Sequence, residues 1–202
     1  MNQQECSSGL IKQVELVVIG ASSGGLDVLI TLLKTLPEHY RIPTVAVLHQ
    51  RPNRSSGVPE MLAKYTHLQV QEPEDKQGIE AGCFYVAPPN YHLLIDSGKV
   101  FSLSLDAPLN FCRPSIDMAM ESAAEVYQQH LVGCVLTGAN ADGAEGVRYI
   151  KENGGYVMVQ EPAEATVDSM PKAAIAATEV DEILPMVRIA ERLSSFAAGG
   201  QS

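Results

Sequence analysis

Leu16-Val17-Val18-Ile19-Gly20-Ala21-Ser22-Ser23-Gly24-Gly25-Leu26-Asp27-Val28-Leu29-Ile30-Thr31-Leu32-Leu33 sets the reading of the whole chain. Its first four residues make a continuous apolar run, the pattern of a parallel strand covered on both faces. Glycine and serine break the run, and an apolar helix follows that ends near Pro37. The unit then repeats. Thr44-Val45-Ala46-Val47-Leu48 reads as a second buried strand, and 56–65 as a second helix with Met61, Leu62 and Tyr65 inward. Two strand–helix units in succession predict a wound α/β sheet.

Outward from there, 66–112 reads differently. Leu68-Gln69-Val70, Phe84-Tyr85-Val86-Ala87, His92-Leu93-Leu94-Ile95 and Val100-Phe101-Ser102-Leu103 are short strand-like runs, and Asp96-Ser97-Gly98-Lys99 has the composition of a hairpin turn. Helical periodicity returns at 115–128. Val132–Leu136 and Tyr156–Val159 read as strands, 142–152 and 183–196 as helices. The expected architecture is α/β: a three-layer, doubly wound, mostly parallel sheet with an antiparallel hairpin near the middle of the chain. Residues 14–196 are expected to form a single domain, between a flexible N-terminus over 1–13 and a flexible tail over 197–202.

Composition narrows the function. The 202 residues are 46% hydrophobic and 19% charged, with a net charge of −10. That acidity, without any Lys/Arg run, argues against nucleic acid. No apolar run approaches the roughly 18 residues of a membrane span, and the first residues lack the layout of a secretory signal. Cys6, Cys83, Cys112 and Cys134 form no Cys-x-x-Cys, and no histidine stands at metal-finger spacing, so no metal set is expected. The thiols read as reduced and mostly core filler, in a cytoplasmic protein.

Ligands of an open parallel sheet bind beyond the carboxyl ends of its strands. Three loops therefore matter: Gly20–Gly25, then His49-Gln50-Arg51-Pro52, then Thr137-Gly138-Ala139-Asn140-Ala141-Asp142-Gly143. They offer a serine, a histidine and an aspartate, the inventory of a nucleophile, a general base and an orienting carboxylate. Each also has a plain structural reading: Ser22 as a helix N-cap, His49 as a strand-end hydrogen-bonder, Asp142 as a cap before Gly143. Catalysis is favoured by their coincidence at one sheet edge, which His39, His67, His92 and His130 do not share. Nucleotide binding fails at its diagnostic positions. Ser22 stands where a dinucleotide loop needs glycine, His49 where it wants an acid, and Leu26-Asp27 where a triphosphate loop needs lysine and a hydroxyl. A glycine-packed turn still lifts Ser22 onto a bend and leaves amides free for a tetrahedral oxyanion.

Ile19-Gly20-Ala21-Ser22-Ser23-Gly24-Gly25, Arg113-Pro114-Ser115-Ile116-Asp117 and Leu136-Thr137-Gly138-Ala139-Asn140-Ala141-Asp142-Gly143-Ala144 closely resemble the catalytic domain of CheB-type chemotaxis protein-glutamate methylesterases. The resemblance runs from about Val14 to Leu193 and includes Gly82–Pro88 and Gly154-Gly155. It implies Ser22 as nucleophile, His49 as base and Asp142 as orienter, acting without metal or cofactor. It places the oxyanion support at Ser23, Gly24, Gly25 or Ala139. The implied reaction is hydrolysis of γ-glutamyl methyl esters on methylated chemoreceptor cytoplasmic helices, with glutamine deamidation as a companion activity. Arg51, Arg54 and Arg113 are expected to hold the acidic substrate. Two positions depart from the family: Gln50-Arg51-Pro52 follows His49 where Met-Pro is usual, and Ala139 stands where methionine is common. These departures support the alternative, a non-catalytic receptor- or partner-binding module on the same fold. Family members typically carry an N-terminal receiver domain. About 13 residues precede the first strand here, so a stand-alone, constitutively active domain controlled by a separate protein is expected.

Overall fold

Among the described residues seven strands form the central sheet in the order β3-β4-β2-β1-β7-β8-β9, all parallel. They are β1 (Leu16–Ala21), β2 (Thr44–Leu48), β3 (Gln69–Gln71), β4 (Cys83–Val86), β7 (Leu131–Val135), β8 (Tyr156–Gln160) and β9 (Glu182–Leu184). The intervening β5 (His92–Asp96) and β6 (Val100–Ser104) pair antiparallel as the expected hairpin, closed where the Lys99 N–H donates to the Asp96 carbonyl. The computed structural model describes residues 13–49 and 57–199. Of the expected flexible ends, 1–12 and 200–202 lie outside the described residues.

Alternation along the strands builds two cores. Val17, Ile19 and Ala21 of β1 face α1 (Gly25–Thr35) and α6 (Met186–Gly199), packing with Leu29, Leu32, Ile189 and Leu193. Leu16 and Val18 face the other way, onto α3 (Ile116–Tyr127), α4 (Ala144–Glu152), α5 (Ser169–Ala177) and the hairpin. Because both faces are covered, every residue of β1, β2 and β7 is buried, which is why those strands read as unbroken apolar runs.

Three expectations needed correcting. The helix expected over 56–65 is only α2 (Val58–Leu62) followed by a 3₁₀ turn, Ala63–Tyr65. The helix expected from 183 begins at Met186, because Leu184 precedes Pro185 and is held extended, as the last residue of β9. α5 was not expected at all. Its Pro171 falls in the first turn, where a missing N–H costs nothing.

One glycine decides how the site forms. A Cβ on Gly20 would lie 2.4 Å from Ile116 Cγ2. The bare backbone at Gly20 lets the first residue of α3 rest on the end of β1, which delivers that helix's N-terminus to the sheet's carboxyl edge.

Candidate active site

The three loops expected to matter are bound to one another by backbone hydrogen bonds at the carboxyl ends of neighbouring strands. The Ser22 N–H donates to the Thr137 carbonyl at 2.9 Å, and the His49 N–H to the Ala21 carbonyl at 3.3 Å. Thr137 fastens the joint further, its Oγ1 donating to the Ser23 carbonyl at 2.8 Å and accepting from the Val167 N–H at 2.9 Å. The chain turns sharply after β1: the Gly25 N–H donates to the Ser22 carbonyl at 2.7 Å, and Gly24 takes a φ of 77°. Ser22 is half-buried at the mouth of this turn, with Ser23 exposed and Gly25 buried. Across the cleft a Cβ on Gly138 would lie 3.0 Å from Ser22 Cβ and 1.8 Å from Met170 Sδ. The third loop therefore passes Ser22 as closely as a backbone can.

His49 and Asp142 meet directly. His49 Nε2 donates to Asp142 Oδ2 at 2.8 Å. Asp142 is 1% exposed, and its other partners satisfy both oxygens. Oδ2 also accepts from the Ile116 N–H at 2.8 Å, while Oδ1 accepts from the Asp117 N–H and from Ser115 Oγ, each at 3.0 Å. The carboxylate thus sits on the N-terminus of α3, where free amides and the helix dipole favour a negative charge. Burial pushes its proton affinity up. The bond from His49 and the amides of Ile116 and Asp117 outweigh that and hold the carboxyl below the usual range.

A second carboxylate mirrors the first. Asp117, in the first turn of α3, accepts at Oδ1 from the N–H groups of Gly143 and Gly146, each at 2.8 Å, at the start of α4. Each helix N-terminus is therefore met by an aspartate from beside the other. Asp117 is raised to about 7, first by burial and then by the neighbouring Asp142 charge, against the pull of the two amides.

The three residues expected to carry the chemistry thus stand on loops joined to one another, with His49 and Asp142 in contact. Among the described residues the N–H groups of Ser23, Gly24 and Ala139 have no hydrogen-bond partner. Gly25, the fourth expected oxyanion donor, has its N–H turned to the Ser22 carbonyl. Arg113 lies beside His49, its Nη1 donating to the carbonyls of Leu105 and Asp106 at 2.9 Å. Arg51 and Arg54 lie outside the described residues. A cavity of about 210 Å³ opens next to His49, lined by Asn90, Pro108, Phe111, Cys112, Arg113 and Pro114. Another cavity, of about 420 Å³ between Val14, His39, Tyr127 and Phe196, lies at the amino ends of the strands, away from these loops.

Sequence reading passed over Ser115 and Asp117 as functional residues, although they stand in the quoted Arg113–Asp117 segment. Ser115 caps α3 and so carried a signal; its second bond, to Asp142, carried none. Cys112 departs from the expectation of core filler. Its Sγ is 3.9 Å from His49 Nδ1 and accepts from Asn140 Nδ2 at 3.2 Å. Burial first, and then the Asp142 charge, push this thiol up to about 11.

Residues 17–193 match the family of CheB methylesterases. A Leptospira interrogans protein is 48% identical over 177 residues, 88% of this chain and 92% of its own length. A Trichodesmium erythraeum protein named protein-glutamate methylesterase/protein-glutamine glutaminase is 36% identical over 95% of this chain, which spans only 55% of that relative. The crystal structure of the Thermotoga maritima CheB methylesterase catalytic domain superposes with a TM-score of 0.86 at 33% identity, covering 91% of this chain and 99% of that one.

Proposed function

We propose that this chain, which belongs to the CheB methylesterase family, is a serine hydrolase that releases methanol from γ-glutamyl methyl esters of chemoreceptor helices and deamidates glutamine at such sites. The observation that carries the reading is the contact of the half-buried His49 with the buried Asp142 on the loop joint that holds Ser22.

Ser22 attacks the ester carbonyl. With its Nε2–H committed to Asp142, His49 keeps its lone pair on Nδ1, the nitrogen that takes the serine proton and then returns it to the departing methoxide. Asp142 fixes that tautomer and stabilises the imidazolium. Its own ionisation is secured by the α3 amides. The unpaired amides of Ser23, Gly24 and Ala139 supply donors for the tetrahedral oxyanion, a role that the alanine side chain at 139 does not disturb. Water then attacks the acyl-enzyme by the same relay and frees the glutamate. Arg113, with Arg51 and Arg54, holds the acidic surroundings of the scissile ester, which a chain of net charge −10 would otherwise repel.

The test is methanol release from a methylated receptor fragment by wild type and Ser22→Ala. Release by wild type and its loss in a folded Ser22→Ala support the assignment. Equal release by both refutes it. No helix among the described residues is long and apolar enough to cross a membrane.

A further inference from the structure

Cys112, His49 and Asp142 come from three distant stretches of sequence, yet each offers a ligand atom within 4.8 Å of the others. The soft thiol and the borderline imidazole of this trio are what a thiophilic cation selects; the hard carboxylate stands behind them. We propose that a divalent cation of this class, Zn²⁺ or Cd²⁺, binds between Cys112 Sγ and His49 Nδ1 and switches the enzyme off reversibly. The inference rests on His49 being the base, and extends that reading to how the same site is controlled.

Geometry comes first. Bonds of about 2.3 Å to sulfur and 2.0–2.1 Å to nitrogen put two ligands of one tetrahedral cation about 3.6 Å apart. Sγ and Nδ1 stand 3.9 Å apart, so a few tenths of an ångström of side-chain movement closes the gap, and the larger Cd²⁺ needs less. Asp142 is already in the place of an outer partner. It holds Nε2–H at 2.8 Å, the carboxylate–histidine arrangement that raises a metal-bound imidazole's basicity. The Asn140 amide, donating to Sγ at 3.2 Å, is oriented to steady a thiolate. Cys112 is only partly buried and lines the cavity beside His49, so a cation and its waters have an entry path.

Electrostatics agree. After burial, the charges that raise Cys112 are those of Asp142 and Asp117, and a field that disfavours a thiolate favours a dication at the same point. On binding, the thiol proton leaves to solvent, the cation takes one lone pair from Sγ and one from Nδ1, and nothing is oxidised. The Nδ1 lone pair is the one that must accept the Ser22 proton. Occupancy and turnover therefore exclude each other.

The experiment titrates the full chain, in a Cys6→Ser background, with Cd²⁺ alone and follows the ultraviolet thiolate-to-metal charge-transfer band. Turnover is then measured against free Zn²⁺ with and without chelator. A 1:1 band is expected that vanishes in Cys112→Ser and weakens in His49→Ala. At a cation concentration about ten times its dissociation constant, mass action leaves about one-tenth of the turnover, which chelator restores. Cys112→Ser, measured against its own cation-free turnover, loses the inhibition. Equal inhibition of wild type and Cys112→Ser, or a Cd²⁺ band indifferent to both substitutions, overturns the proposal. The absorption arm needs no substrate. A band without esterase activity would therefore contradict the functional reading, not the metal site.

Discussion

Asp142→Asn is a sharper probe than it looks, because the carboxylate's four partners are all donors to it: His49 Nε2 and the Ile116 N–H on Oδ2, Ser115 Oγ and the Asp117 N–H on Oδ1. An amide has one oxygen to offer. If its NH₂ takes the place of Oδ1, it faces the Asp117 N–H; if it takes the place of Oδ2, it faces the Ile116 N–H. Neither backbone donor can invert, and the site is 1% exposed. One buried N–H is therefore orphaned in both orientations, a cost of about 1–3 kcal/mol. For a chain of this size each kcal/mol moves Tm by about 2–4 °C, so a fall of roughly 2–12 °C is expected. The rate suffers separately. With NH₂ towards His49, Nε2 must accept, the proton moves to Nδ1, and the base is lost. In the other orientation the imidazolium loses its counter-charge. A loss of about 10⁴ in kcat matches a triad whose acid sets the tautomer. Methanol release and differential scanning on the same preparation read both effects. A kcat within tenfold of wild type refutes the tautomer argument, and an unchanged Tm refutes the hydrogen-bond accounting.

Ser22→Ala should abolish turnover by several orders of magnitude while leaving Tm within about 1 °C, since the Ser22 backbone bonds need no side chain; near-normal methanol release would remove Ser22 from the mechanism. Asp117 is raised from 3.8 to about 7 in the folded chain, so the unfolded chain binds fewer protons across that window and stability falls as pH rises from about 4 to about 7. At roughly 1.4 kcal/mol per unit this is a few kcal/mol, and Asp117→Asn, which keeps the acceptor for Gly143 and Gly146, should flatten the fall; parallel stability–pH curves for the two proteins would contradict it. Gly138→Ala inserts a methyl 1.8 Å from Met170 Sδ and 3.0 Å from Ser22 Cβ. It should cost about 1–3 kcal/mol and at least tenfold in kcat, and adding Met170→Ala should restore stability more than rate; recovery of both together would show that the methyl disturbs only packing.

The parts of the fold that could be read from sequence were those whose burial is total. β1, β2 and β7 are covered on both faces, so no exposed polar residue interrupts them, and Gly24-Gly25 and Gly138 mark where the chain has left β1 and β7. β9 and α5 escaped because their signals are mixed. β9 is a three-residue edge strand with an exposed Ile183, and α5 opens through a proline. The same divide runs through the site. Ser22, His49 and Asp142 lie at strand ends, and strand ends are where a parallel sheet puts its chemistry. Cys112 and Ser115 reach His49 and Asp142 only because the segment between β6 and α3 folds back across the sheet edge. No periodicity encodes that return, so the thiol at 112 carried no mark distinguishing it from the buried thiols at 83 and 134.

The exchange of aspartates between α3 and α4 explains how a buried acid can serve this histidine. Two carboxylates in mutual reach, both nearly inaccessible, cannot both hold full charge without compensation. The partners decide which one yields. Asp142 collects two amides, a hydroxyl and the imidazole. Asp117 collects two amides and, among the described residues, no cationic partner. The charge settles on Asp142, and Asp117 rises to about 7. The pair thus sends its proton away from the residue that orients His49. Each aspartate also ties the start of its own segment to the other helix, so the geometry that keeps Asp142 ionised and the geometry that aims it at His49 Nε2 are held by the same bonds.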